Sequence, residues 1–196
     1  MGRIPGARIP GGRIPRGRIA GLVLCCLLVG LALPLRADPV AGTYGLIARR
    51  LSLMEPVAAW KWLHARPVED LAREELVLAK ATEAAVGAGL APDGARAFFA
   101  AQIGAAKDIQ SCWIARWHGG AAPAPESAPD LAEEIRPQLI EIGAALLAAI
   151  GTALAEGDSF AAGGSAAFDA AVAVDCLSDP HRDAVYRALT GLALDR

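Results

Sequence analysis

The segment Arg50–Glu74, RLSLMEPVAAWKWLHARPVEDLARE, decides how the rest of the chain is read. It carries two cations, Arg50 and Lys61, eleven residues apart. A helix turns about 100° per residue, so eleven residues return almost to the starting direction. The face that Arg50 and Lys61 share also holds Leu46, Met54 and Val57. Two charges therefore point where a core is expected. Burying an unpaired cation is costly, so this face calls for an anion between them. Along a helix axis the two residues lie roughly 16 Å apart at 1.5 Å per residue. Two long side chains with a compact ligand between them span that distance. Arg66-Pro67 ends the helix, because the residue before a proline avoids the α region. Asp70-x-x-Arg73-Glu74 follows at once.

Outward from this segment the composition is helical. Of 196 residues, 54% are hydrophobic and only 5% aromatic. Ala is very abundant; Ala, Leu and Glu favour helix, and strand formers are scarce. The expectation is one all-α domain, a helical bundle with a long N-terminal helix, over residues 38–196. The predicted helices are Asp38–Ala65, with Pro56 kinking it or marking its real start, then Val68–Val86, and Ala91–His118. After a Pro/Ala/Gly linker at 119–130, a fourth helix runs from Asp130 to about Glu156, kinked near Pro137. Two short helices, Ser165–Val174 and Ser178–Leu192, close the chain.

Residues 1–37 read differently. Five arginines and no acid precede an uncharged apolar run from Ile19 to Leu35, followed by Arg36-Ala37. A basic region, an apolar region and a small residue make a secretory signal. The expected cleavage follows Ala37, leaving a periplasmic or secreted protein with no membrane attachment. Its removal leaves 13 basic against 21 acidic residues, a net charge of −8. Such an acidic domain is not a nucleic-acid binder. Cys112 and Cys176 remain. In an oxidising compartment they either pair or stay buried and free.

No Gly-rich phosphate loop, CxxC or HExxH is present, and His64, His118 and His181 are scattered. No metal or cofactor is expected. Arg50, Lys61, Arg73, Gln110 and Arg136 are assigned to the bundle interior, with Asp70 and Glu74 nearby. A ligand with more than one carboxylate satisfies that set, since arginine binds carboxylates bidentately. Each residue also has a plain structural reading. Asp70 caps a helix, Lys61 snorkels, Arg73 and Glu74 make surface pairs, and Gln110 bonds within the core.

RLSLMEPVAAWKW, RPVED-x-x-RE, KDIQ (residues 107–110) and PDL-x-x-x-IR resemble the helical chorismate mutases, in particular their secreted class. The resemblance covers roughly residues 42–190 and is carried mostly by residues 50–74. It implies an isomerase converting chorismate to prephenate by an intramolecular Claisen rearrangement, as a homodimer with each site within one chain. By position, Arg50, Arg73 and Arg136 resemble the carboxylate-binding arginines. Lys61 and Gln110 resemble the donors to the ether oxygen, and Asp70 and Glu74 the residues near the ring hydroxyl. Where some secreted members carry glutamate, this chain has Gln110, which implies a rate flat from mildly acidic to neutral pH. Ala106 stands where relatives often have Ser or Thr, and Val77 replaces a polar contact. Arg136 fits only with a one-residue shift. An isochorismate pyruvate lyase of the same fold and a non-catalytic sensor of a small dicarboxylate are the alternatives.

Overall fold

A computed structural model describes Gly2 and residues 38–195. The signal-like segment, with its expected cleavage after Ala37, lies outside the described residues, Gly2 apart. Among the described residues there are seven α-helices: α1 Pro39–Ser52, α2 Met54–Leu63, α3 Leu71–Gly87, α4 Pro92–His118, α5 Arg136–Ala155, α6 Gly164–Ala171 and α7 Asp179–Thr190. They contain no strand, only an isolated bridge between Leu90 and Leu194. The all-α expectation holds.

The long N-terminal helix expected over Asp38–Ala65 is two helices. Asp38 caps α1, accepting from the Val40 and Ala41 N–H groups, with Pro39 in the first turn. The break falls at Leu53, three residues before Pro56. Proline has no N–H to give the Ser52 carbonyl, and the chain restarts with Val57 N–H donating to the Leu53 carbonyl at 3.1 Å. α2 stops in a tight double closure. Arg66 N–H returns to the Lys61 carbonyl (2.8 Å) and Ala65 N–H to that of Trp62 (3.3 Å). Ala65 takes a left-handed φ of +50° to make it.

α3 begins at Leu71, later than the expected Val68, because Asp70 caps it. The Asp70 carboxylate accepts from Arg73 N–H, and Glu74 Oε1 accepts from Asp70 N–H, each at 3.1 Å. Pro92 starts α4, the central helix, which packs on α2, α3 and α7. The linker after it is not loose. Ala122 and Ala128 pack beside Trp62 and Trp117.

Asp130 caps the next helical segment as expected. The kink foreseen at Pro137 takes the form of a π turn, Leu131–Ile135. The Asp130 and Leu131 carbonyls are met five residues on, by the Ile135 and Arg136 N–H groups. Pro137 cannot supply the next α-helical donor. Leu131–Ala155 is apolar enough, with a hydropathy of 1.7, to cross a membrane by length and composition. Its bulky residues Ile142, Leu146 and Ile150 are instead fully buried in the bundle, where α5 packs on α1. Its outer face mixes alanines with polar residues such as Glu133, Glu134, Gln138 and Glu141, and Ile140 is 74% exposed. α6 and α7 are each shorter than expected. A disulfide joins Cys112 of α4 to Cys176 before α7, Cα–Cα 5.7 Å, which decides between the two readings of those cysteines.

Candidate functional site

Arg50 projects from α1 towards α5, where its Nη1 donates to the Leu139 carbonyl at 3.2 Å. A Cβ at Gly143, one turn further on, would lie 4.0 Å from that nitrogen. Burial lowers the pKa of Arg50, and no carboxylate among the described residues offsets it. Arg136 is half-buried at the start of α5, one turn before Leu139. Arg136 and the Leu139 carbonyl that holds Arg50 thus lie within about 5 Å of each other along the axis of α5.

Met54, one turn after Arg50, connects this end to α4. Gln110 Nε2 lies 3.6 Å from Met54 Sδ and donates to the Ala106 carbonyl at 3.0 Å. Gln110 is 5% exposed, and its Oε1 is buried without a partner. An unsatisfied buried acceptor costs about 1–3 kcal/mol. The amide therefore retains bonding capacity inside the bundle. Ala106, half-buried, contributes only a methyl group there.

Lys61 on α2 is half-buried, and its Nζ donates to the Val68 carbonyl at 2.7 Å. Burial lowers its pKa, opposed by the charges of Asp70 and Glu74. Lys61 thus faces the α2–α3 turn and its acids. Asp70 is exposed and serves as the cap of α3. Glu74 meets Lys107 of α4 at 2.9 Å. Burial raises the Glu74 pKa, but hydrogen bonds from Lys107 and the Asp70 N–H, with the charges of Lys107 and Lys61, hold it below its ordinary value. Val77, half-buried, lies one turn beyond Glu74.

Arg73 is a correction. It was placed inward, but it is exposed. α3 is anchored on α4 mainly through the buried Leu78 and Ala85. Arg73 points about 140° from Leu78 around the helix. Arg50 bonds to α5, Gln110 meets Met54, and Lys61 and Glu74 lie near one another at the α2–α3 turn, where Asp70 and Arg73 are exposed. Two clefts, of about 450 and 410 Å³, lie elsewhere and include none of these residues.

Two polar residues escaped the sequence reading. Lys107 is the first residue of KDIQ, one turn before Gln110, and that spacing was its only signal. Gln102, 2% exposed with both amide atoms unpartnered, lies one turn before Ala106. No cluster of metal-binding side chains occurs among the described residues, and the site pairs no nucleophile with a base. What it can do is bind a multiply charged anion and stabilise negative charge developing near Lys61 and Gln110.

A family profile described as chorismate mutase type II matches residues 44–111. The chain is 37% identical over 113 residues to a protein named secreted chorismate mutase from Mycobacterium tuberculosis, covering 56% of this chain and 57% of that one. It is similar to the crystal structure of secreted chorismate mutase from Yersinia pestis, with a TM-score of 0.72, 29% identity and coverage of 78% of this chain and 97% of that one. It is also similar to a crystal structure of chorismate mutase from Burkholderia thailandensis, with a TM-score of 0.62, 33% identity and coverage of 77% and 96%. The chain spans between 54% and 62% of the length of the curated relatives it matches.

Proposed function

The chain belongs to the chorismate mutase type II family, and from that premise we propose that it is an isomerase converting chorismate to prephenate. The observation that supports this reading is that Arg50, Lys61 and Gln110 are all half-buried or buried, as expected of inward faces, and that no carboxylate among the described residues offsets the burial of Arg50.

Chorismate carries two carboxylates, an ether oxygen and a ring hydroxyl. In its rearrangement one C–O bond breaks while one C–C bond forms, and negative charge grows on the ether oxygen. Arg50 and Arg136 hold carboxylates, which removes the rotational freedom of the enolpyruvyl arm before reaction. The Lys61 ammonium and the Gln110 amide N–H stabilise the developing charge in a water-poor space. Glu74 and Asp70, at the turn beside Lys61, accept from the ring hydroxyl. Arg73 is exposed and takes a carboxylate only if its side chain folds back over the turn. No group transfers a proton, so positioning and electrostatics supply the rate.

The relatives named secreted, the disulfide and the signal-like N-terminal segment support a periplasmic or secreted protein. A homodimer, each site built within one chain, completes the proposal. The test is chorismate turnover by the full chain, followed as loss of the ultraviolet absorbance of chorismate. The wild-type chain turns over, and Lys61→Ala abolishes the rate with an unchanged circular dichroism spectrum. Binding of chorismate without turnover by the wild-type chain would favour a sensor instead, and a Lys61→Ala variant of wild-type rate would sink the assigned site.

A further inference from the structure

Lys107 is a second ammonium at the α2–α3 turn, and the chemistry above gives it no task. Its Nζ lies 2.9 Å from Glu74 Oε2 and 3.3 Å from Glu69 Oε1. It therefore ties α4 to the turn and to the first turn of α3. Both its carboxylate partners remain in contact with water, at 21% and 65% exposure for Glu74 and Glu69. Exposed pairs of this kind add little to stability, so the contact is better understood by what it arranges.

What it arranges is Glu74. One Glu74 oxygen accepts from Lys107 and the other from the Asp70 N–H at 3.1 Å. Both are occupied by groups other than Lys61, although Lys61 lies close enough to feel the Glu74 charge. Lys61 Nζ rests instead on the neutral Val68 carbonyl. The ionisable groups at this turn are Lys61 from α2, Arg66, Glu69 and Asp70 from the turn, Arg73 and Glu74 from α3 and Lys107 from α4. His64, at the end of α2, is engaged with Trp60, stacked on its ring at 4.2 Å and bonded to its carbonyl. Among these acids Glu74 is the one shared between the two lysines. Lys61 is the cation other than Lys107 whose charge acts on Glu74.

We propose that Lys107 is a positioning residue that holds the Glu74 carboxylate off Lys61 and so leaves the Lys61 ammonium free for the substrate's ether oxygen. The inference rests on the proposed reading of the site and adds a division of labour to it. One lysine acts on the substrate, and the other occupies the acid that would quench the first.

The experiment measures kcat and KM for chorismate in the full chain and in Lys107→Met, Lys107→Arg, Glu74→Gln, Lys107→Met/Glu74→Gln and Lys61→Ala. Removing a single electrostatic donor costs a hundredfold or more in kcat, so an indirect loss through Lys61 is expected at roughly tenfold for Lys107→Met. KM changes much less. Lys107→Arg restores the rate. The decisive readout is relief: Lys107→Met costs much less kcat in the Glu74→Gln background than in the wild-type one, whatever Glu74→Gln costs by itself. Lowering the pH likewise shrinks the cost of Lys107→Met, as Glu74 protonates and releases Lys61. A merely structural role moves neither. The inference is overturned if Lys107→Met keeps the wild-type kcat, or if its loss is as large in the Glu74→Gln background. An inactive Lys61→Ala beside a fully active Lys107→Met rejects this inference alone, whereas an active Lys61→Ala rejects the site and the inference with it. Should Lys107→Met fail to fold, Lys107→Gln carries the same comparison.

Discussion

At Arg50 a guanidinium is held against a main-chain carbonyl with no carboxylate beside it. Burial lowers its pKa, yet an arginine stays charged at any pH the fold survives. A half-buried cation with no carboxylate partner opposes stability to the extent that its hydration is lost without an equal return. Arg50→Met keeps the aliphatic stem and removes the charge. The expected outcome is loss of chorismate turnover together with a gain of about 1 kcal/mol or more in unfolding free energy, read by urea denaturation. A variant both inactive and less stable would show that Arg50 is primarily structural. Arg50, Lys61 and Gln110 were legible in the sequence because each interrupts an apolar stripe at helical spacing. Arg73 was misplaced because direction on α3 depends on which face α4 covers, and the Arg73 region has weak apolar periodicity. Lys107 looked like any surface lysine until α3 was laid beside α4.

Among the elements, α2 ends on the least comfortable residue for its conformation. Ala65 sits at φ +50°, where a Cβ costs roughly 1–2 kcal/mol and glycine is usual. Ala65→Gly therefore relieves strain, offset in part by the greater unfolded-state freedom of glycine. A net gain of about 0.5–1 kcal/mol is expected, with kcat unchanged because the hydrogen bonds of the closure involve only main chain. Denaturation midpoints check it, and a loss of stability would mean the Ala65 methyl group makes a contact that outweighs the strain. The helix ends themselves were readable where proline or a capping aspartate stood at the boundary, as at Pro67, Pro92 and Asp130. The break at Leu53 was harder to place. A proline removes the donor that a carbonyl four residues earlier needs, so its damage lies upstream of the residue that signals it.

For the molecule as a whole, the disulfide is the main covalent constraint on the bundle among the described residues. Cys112 and Cys176 are 64 residues apart in sequence, and the segment between includes the linker, the π turn, α5 and α6. Closing so long a loop restricts the unfolded chain, an effect worth about 2–4 kcal/mol. Paired Cys112→Ser and Cys176→Ser substitutions are expected to lower stability by that amount and to leave the circular dichroism spectrum helical. Thiol titration of the unfolded chain lacking residues 1–37, and so lacking Cys25 and Cys26, is expected to show neither Cys112 nor Cys176 free. An unchanged melting temperature in the double variant would contradict this account. The helical class followed from composition alone, since little but helix can be built from so much alanine and leucine. The disulfide did not, because pairing depends on where α4 and the segment before α7 meet in space, and two cysteines in a sequence carry no such distance.

α4 bears on what changes of length the chain can absorb. It runs for 27 residues, about 40 Å at 1.5 Å per residue. Within six of them it presents Lys107 to α3, Asp108 to the Ser178 N–H, Gln110 to Met54 and Cys112 to Cys176. One inserted residue in that stretch would turn everything beyond it by about 100°, so these contacts could not all survive together. Length can change more cheaply within residues 123–127, between the packed Ala122 and Ala128 and before the cap at Asp130, a stretch that carries none of the site residues. Gain or loss of residues over evolutionary time should accumulate there and stop at the ends of α4.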